Sequence, residues 1–240
     1  MKNYIRYINE SKDIKLIAEM IKRDCQPFLQ SFDFKTSNDL LYRGEDDLHD
    51  KMIKRKRRHN RQSVDTEQET SDFFDKIFKK KFGWEPRSSG IFVLRGGSSY
   101  GEKEYVFFPI GDFRYVWSTE IEDFFAYVNG EEFMSWDYYN DVVFGNEWKE
   151  LEMRGAAENI DEWLELNKWE RYETKEEWDK ERENVYQRMV DTYKEEGLPD
   201  AGFHFESGSE LIFDVDYYYL IETDSSNTKL EEELIKELKK

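Results

Sequence analysis

The chain has 240 residues, enough for one sizeable domain or two small ones. Only 38% are hydrophobic but 17% are aromatic, so Phe, Tyr and Trp must carry the core, and so many rings exclude global disorder. Charged residues make up 38%, the net charge is -18 and the isoelectric point is near 4.7, an acidic balance that repels nucleic-acid phosphate on average and favours basic partners.

Residues 11–30 carry Ile14, Leu16, Ile17, Met20, Ile21 and Cys25 at helical spacing. This predicts an N-terminal helix with its start near Ser11 and Asp13 and its end at Pro27. Cys25, the single cysteine, falls on the apolar face, reads as a small core residue and excludes an internal disulfide. Leu40-Leu41-Tyr42 predicts a short buried strand that turns at Arg43-Gly44. Lys51 to Arg61 is the one strong basic run and reads as a loop or short helix. Glu67 to Phe82 has Phe73, Phe74, Ile77, Phe78 and Phe82 on one side, and Gly83 and Pro86 supply a helix stop.

A strand cluster follows: Gly90 to Leu94, then Tyr105 to Pro109, then Phe113 to Trp117. The first two are separated by Gly96-Gly97-Ser98-Ser99-Tyr100-Gly101 and the last two by a turn at Gly111-Asp112. Ser118 is placed to cap a helix over about 119–128. Residues 130–198 are rich in Glu, Trp and Tyr and read as an acidic helical insertion, with two helices over 157–196. Strands return at Gly202 to Phe205 and at Glu210 to Ile221, and a charged helical tail closes the chain.

These elements predict an α+β fold. The expected division is a core of 1–129 and 199–225, the insertion at 130–198 and a tail at 226–240. The N-terminus has no apolar leader segment and no run reaches bilayer length, so a cytoplasmic protein without membrane contact is expected. Three histidines (His49, His59, His204) and one cysteine offer no convincing zinc set, so no metal is expected.

Three segments stand out for chemistry because they fall at strand edges in the order Arg, aromatics, Glu. They are Leu41-Tyr42-Arg43-Gly44, then Gly90-Ile91-Phe92-Val93 with Ser99-Tyr100-Gly101, then Ser209-Glu210-Leu211. Splitting the nicotinamide bond of NAD calls for these types. An arginine fork binds a diphosphate, a glycine admits the nicotinamide amide, and flat rings stack on the base. A carboxylate faces the charge that develops on the ribose.

The order and residue types resemble the ADP-ribosyltransferase superfamily. Tyr42-Arg43-Gly44 is similar to the first-strand arginine of the Arg-Ser-Glu class. Gly90-Ile91-Phe92-Val93 with Ser98-Ser99-Tyr100 is similar to the Gly-Ile-Tyr-Phe strand and tyrosine helix of the poly(ADP-ribose) polymerase branch. Glu210 resembles the glutamate that opens a late strand in both. The block from Arg87-Ser88 to Trp117-Ser118 also resembles uncharacterised bacteriophage proteins. The resemblance covers roughly 39–125 and 200–222. The Ser-Thr-Ser of the Arg-Ser-Glu class is missing, Phe92 replaces a tyrosine, and Gly208 stands where arginine-specific toxins have a second acid.

The resemblance implies a split β-sheet core and transfer of ADP-ribose from NAD, as substrate, to a protein or nucleic-acid acceptor, in a host cell if the chain is of phage origin. Glu210 would be catalytic. Arg43, Gly44, Ser88, Phe92, Ser99 and Tyr100 would hold NAD. Lys54, Arg55, Arg57, Arg58 and Arg61 would form a substrate-docking loop; the same run also suits a loop that offsets the acidic surface, or part of the NAD phosphate site. Bland readings stand beside these. Arg43 suits a turn arginine paired with Asp46 or Asp47, Phe92 and Tyr100 suit core rings, and Glu210 suits a solvated strand start. Two other functions fit the sequence. One is a non-enzymatic acidic inhibitor or DNA mimic that presents the insertion, with Trp163, Trp169 and Trp178, to a basic protein. The other is an inactive transferase fold that binds a nucleotide.

Overall fold

The computed structural model describes residues 13–32, 34–46, 51–59, 68–96, 101, 103–118, 120–121, 175–195, 210–223 and 229–240. In chain order the elements are α1 (Asp13–Asp24), α2 (Gln26–Ser31), a 3-10 turn (Ser37–Asp39), β1 (Leu41–Glu45), β2 (Met52–Lys56), α3 (Gln68–Phe82), α4 (Pro86–Ser89), β3 (Ile91–Arg95), β4 (Lys103–Ile110), β5 (Arg114–Ser118), α5 (Lys175–Asp191), β6 (Tyr193–Lys194), β7 (Glu210–Asp214), β8 (Tyr217–Glu222) and α6 (Lys229–Leu238). The α+β expectation holds: helices flank an antiparallel sheet.

The chain forms two compact units. One comprises Met1–Asn60, Ser89–Thr119 and Glu195–Lys240, and the other Arg61–Ser88 and Glu120–Lys194. Seven strands of the first unit run in the order β2-β8-β4-β1-β3-β7-β5, each antiparallel to its neighbours. Four steps of this order separate β7 from β8, about 19 Å on a flat sheet. Yet only Val215 and Asp216 join them, a span of about 11 Å at most. The sheet therefore curls, and its inner face closes on itself. Phe107 of β4 and Phe213 of β7 meet at 5.2 Å between ring centroids. Two half-sheets result, β2-β8-β4-β1 and β3-β7-β5. A sharp corner at Val215–Asp216 joins them, as does a short ladder in which β1 pairs with β3 only at Leu41↔Arg95 and Tyr42↔Leu94.

Rings fill this curl, as the composition requires. Phe28 is fully buried and packs on Phe32, Phe34, Phe108, Phe113 and Phe213. Such pairs add about 0.5–1.5 kcal/mol each beyond the area they bury. On the outside, α1 lays Ile17, Ala18 and Ile21 against Leu234 and Ile235 of α6. The charged tail is thus a docked amphipathic helix. Leu230, Leu234, Ile235 and Leu238 carry the spacing of its apolar stripe. The end of α1 is pinned to the sheet: the Tyr219 hydroxyl donates to Asp24 at 2.6 Å, and the Gly111 amide donates to the Asp24 carbonyl. Arg23 holds the Asp24 carboxyl down at about 2, with burial opposing and Tyr219 adding to the effect.

In the second unit, Phe74, Ile77 and Phe78 of α3 are buried with Tyr186, Met189 and Val190 of α5, and Phe74 and Tyr186 meet at 4.4 Å. Asp75 is buried on α3 and accepts the amides of Arg87 at 2.6 Å and Ser88 at 2.8 Å. Burial raises its carboxyl above the usual range against those hydrogen bonds.

Several expectations are corrected. The helix over 11–30 is two helices broken at Cys25, and Pro27 lies in the first turn of the second, where its missing amide costs nothing. Pro86 likewise opens a short helix. The first strand runs on through Arg43 and Gly44 to Glu45 instead of turning there. The basic run is not a loop: Met52–Lys56 is an edge strand on β8, with Met52 buried and lysines outward, a protected edge. The long strand from Glu210 to Ile221 is two strands in different half-sheets. Ser118 ends β5 and is buried. The helix expected over 119–128 lies outside the described residues apart from Glu120 and Ile121, as does the strand expected at 202–205. Of the acidic insertion, residues 175–195 are described.

Candidate functional site

The site is best built from the place where β1 leaves β3. After Tyr42, β1 pairs with β4 alone, through Arg43↔Tyr105, Gly44↔Glu104 and Glu45↔Lys103. Arg43 reaches back across the parting. Its Nη1 donates to the Phe92 carbonyl of β3 at 2.9 Å, and its Nε lies 2.6 Å from Glu45 Oε1. Glu45 is two residues along the strand, hence on the same side. Nη2 makes no hydrogen bond among the described residues.

The loop after β3 is anchored at the same place. Gly101 has φ +80, and a Cβ added to it would lie 2.5 Å from the Glu45 amide nitrogen and 2.8 Å from the Gly44 carbonyl carbon. Only glycine permits that approach. Arg43, Gly44, Phe92 and Gly101 therefore converge, although they come from three separate stretches of chain. Ser99 and Tyr100 themselves lie outside the described residues.

Glu210 opens β7 and is only 8% exposed. It stands directly across from Leu94, which stands directly across from Tyr42. Facing residues share a side of the sheet, so Glu210 belongs to the side of Tyr42 and Leu94. Arg43, the next residue after Tyr42, belongs to the other. The strands of Arg43 and Glu210 are thus two steps apart, while their side chains leave opposite pleats. Phe92 is half-buried and lies on the Glu210 side, across from Ile212. Ser88 belongs to the second unit, where Asp75 takes its amide.

The basic residues divide. Lys54 and Arg55 are on β2 and follow its pleat, with Lys54 across from Tyr219 and Arg55 across from Tyr218. The Lys54 ammonium sits over the Tyr217 ring at 5.1 Å from its centroid. Arg57 is bound by Asp214 and by Asp216, the latter at 3.2 Å, and Arg114 also reaches Asp214 at 2.5 Å. These four line an open cleft of about 590 Å³ with Ile110, Asp112, Phe113, Val215 and Tyr217. Arg58 is exposed, and Arg61 lies outside the described residues.

Tyr218 is a residue that sequence reading passed over as a strand tyrosine. Burial raises its hydroxyl above the usual range. Arg43 opposes the shift most, Glu45 adds to it, and Arg55 and Arg58 oppose it further. Glu45 also escapes the sequence reading, in which Asp46 and Asp47 are the acids offered as alternative partners for Arg43. The i, i+2 spacing of Arg43 and Glu45 was the available signal once a strand is granted. Cys25 is buried, and that pushes its thiol up to about 12, so it is no nucleophile.

No group of three or more His, Cys, Asp or Glu among the described residues is placed to hold a metal ion. No helix among them is long and apolar enough to cross a membrane. Trp163 and Trp169 of the expected insertion lie outside the described residues, and Trp178 lies on α5. No family model, curated protein or solved structure matches the chain.

Proposed function

We propose that the chain transfers ADP-ribose from NAD to a macromolecular acceptor, with release of nicotinamide, at the parting of β1 and β3. The observation that supports this reading is the convergence of Arg43 and Gly44, Phe92, and the Gly101 loop at one break in the sheet, with buried Glu210 opening the strand beyond. The ladder between β1 and β3 ends at Tyr42, and in this reading NAD lies across that break, with Arg43 on one pleat and Glu210, one strand beyond β3, on the other.

In this reading the Arg43 guanidinium turns from Glu45 to the diphosphate, using the Nη2 donors that have no partner among the described residues. The bond between ribose C1 and the nicotinamide nitrogen breaks, and its electron pair leaves with nicotinamide. Positive charge grows on the ribose, and the Glu210 carboxylate stabilises it. An acceptor nucleophile then bonds to C1 and gives its proton to a base, a role Glu210 can fill. Removing the charge at Glu210 with Glu210→Gln is expected to lower nicotinamide release by about a thousand-fold while NAD binding, followed by calorimetry, and melting temperature hold. If Glu210→Gln binds no NAD, or cleaves it as the parent does, Glu210 has no chemical role.

A further inference from the structure

The inner face of the half-sheet β2-β8-β4-β1 carries two arginines, Arg55 and Arg43, on the pleat of the buried Tyr218. Arg55 stands directly across from Tyr218. Arg43 stands on the same face, in the row Arg43, Tyr105, Glu222. Tyr218 is 6% exposed and packs its ring on Phe107 at 5.3 Å. Burial raises its hydroxyl above the usual range; the charge of Arg43 opposes that rise, Glu45 adds to it, and Arg55 and Arg58 oppose it further. The acids nearby are largely committed. Glu45 binds Arg43, and Glu222 binds Lys103 at 2.7 Å. Arg57, two residues from Arg55, is taken by Asp214 and Asp216. Arg55 is left with a buried Nε that has no hydrogen-bond partner among the described residues.

We infer that Arg55 and Arg58, with the Tyr218 hydroxyl and Arg43, form a binding site for a diphosphate group. Guanidinium forks grip phosphate oxygens two at a time, and several forks on one curved face suit two linked phosphates better than one carboxylate. A protonated phenol adds a donor. A bound anion also satisfies the buried Nε donor of Arg55. The edge strand β2 then contributes to nucleotide binding and not to docking of a macromolecule. The inference rests on the transferase reading for the identity of the natural ligand, NAD, and not for the anion chemistry.

The test is calorimetric titration of the full chain with inorganic pyrophosphate, which needs no turnover. The unmodified chain is expected to bind. Arg55→Ala should weaken binding at least ten-fold, and Arg58→Ala, at an exposed position, several-fold. Arg55→Lys should recover only part of the loss, because one ammonium cannot fork. Lys80→Ala, an exposed cation of the second unit, should leave binding unchanged. Should Arg55→Ala fail to fold, Arg58→Ala carries the test. The inference is overturned if the unmodified chain binds no pyrophosphate, or if the arginine variants bind as it does. Pyrophosphate binding that depends on Arg55 and Arg58 in a chain that releases no nicotinamide leaves this site standing and removes the transferase. Nicotinamide release with pyrophosphate binding insensitive to both arginines does the reverse.

Discussion

Two arginine clusters in the first unit are built from the same residue types and do opposite things. At the corner, Arg57 and Arg114 meet Asp214, Asp216 and Asp112, so acids outnumber guanidinium groups. On the inner face, Arg55 stands across from Tyr218 and Arg43 shares the pleat, with Glu45 as the acid paired to Arg43, and exposed Arg58 follows the end of β2. The corner opens a cleft of about 590 Å³, yet its cations are already neutralised by the strand they fasten. Such an ion-pair cluster locks the two residues that turn β7 into β8. The inner face keeps donors in hand. An opening is therefore a poorer guide to a ligand site here than unspent hydrogen-bonding capacity is.

The contrast predicts unequal costs for removing a carboxylate. Asp214→Ala strips the shared partner from Arg57 and Arg114, and both Arg57 and Asp214 have side chains only 14% exposed. It should cost about 3 kcal/mol in urea unfolding, the range for breaking a largely buried pair. Glu45→Gln, by comparison, keeps an amide oxygen that can accept from Arg43 Nε, so it should cost less stability than Asp214→Ala, and it should tighten pyrophosphate binding, since it removes the charge held against Arg43. Equal destabilisation by the two would erase the distinction between a fastener and a site.

A smaller effect separates two glycines that look alike. Gly101 and Gly111 both have positive φ, at +80 and +74. Alanine at Gly111 meets nothing within 4 Å and should pay only the left-handed backbone cost, about 1–2 kcal/mol. Alanine at Gly101 must also displace the backbone of Gly44 and Glu45, so Gly101→Ala should be the more destabilising by about 1 kcal/mol or more. It should also disturb nicotinamide release, which Gly111→Ala should spare. Matching losses in melting temperature and activity would show that the loop is not anchored on β1.

Period and punctuation made much of this fold readable. The apolar side of α3, the strands around Tyr105 to Pro109 and Arg114 to Ser118, and the Gly83 and Gly111 turns follow from local rules that the sequence obeys. What escaped was set by distant pairing. Met52–Lys56 looked like a loop because lysines and arginines crowd it, and only β8 makes it a strand. Glu210 to Ile221 looked like one strand because Val215 and Asp216 continue its alternation. The corner there comes from three-dimensional closure, not from a glycine or proline. At the site, residue types pointed to Arg43, Phe92 and Glu210. Which pleat each side chain takes depends on register, which no single segment encodes.

Nicotinamide release from NAD, measured side by side for the unmodified chain and Arg43→Ala, puts the break between β1 and β3 to the proof. Release by the unmodified chain, and its loss by a hundred-fold or more in a variant that melts at nearly the same temperature, is the expected result. Cleavage that proceeds equally well without the Arg43 guanidinium would contradict it.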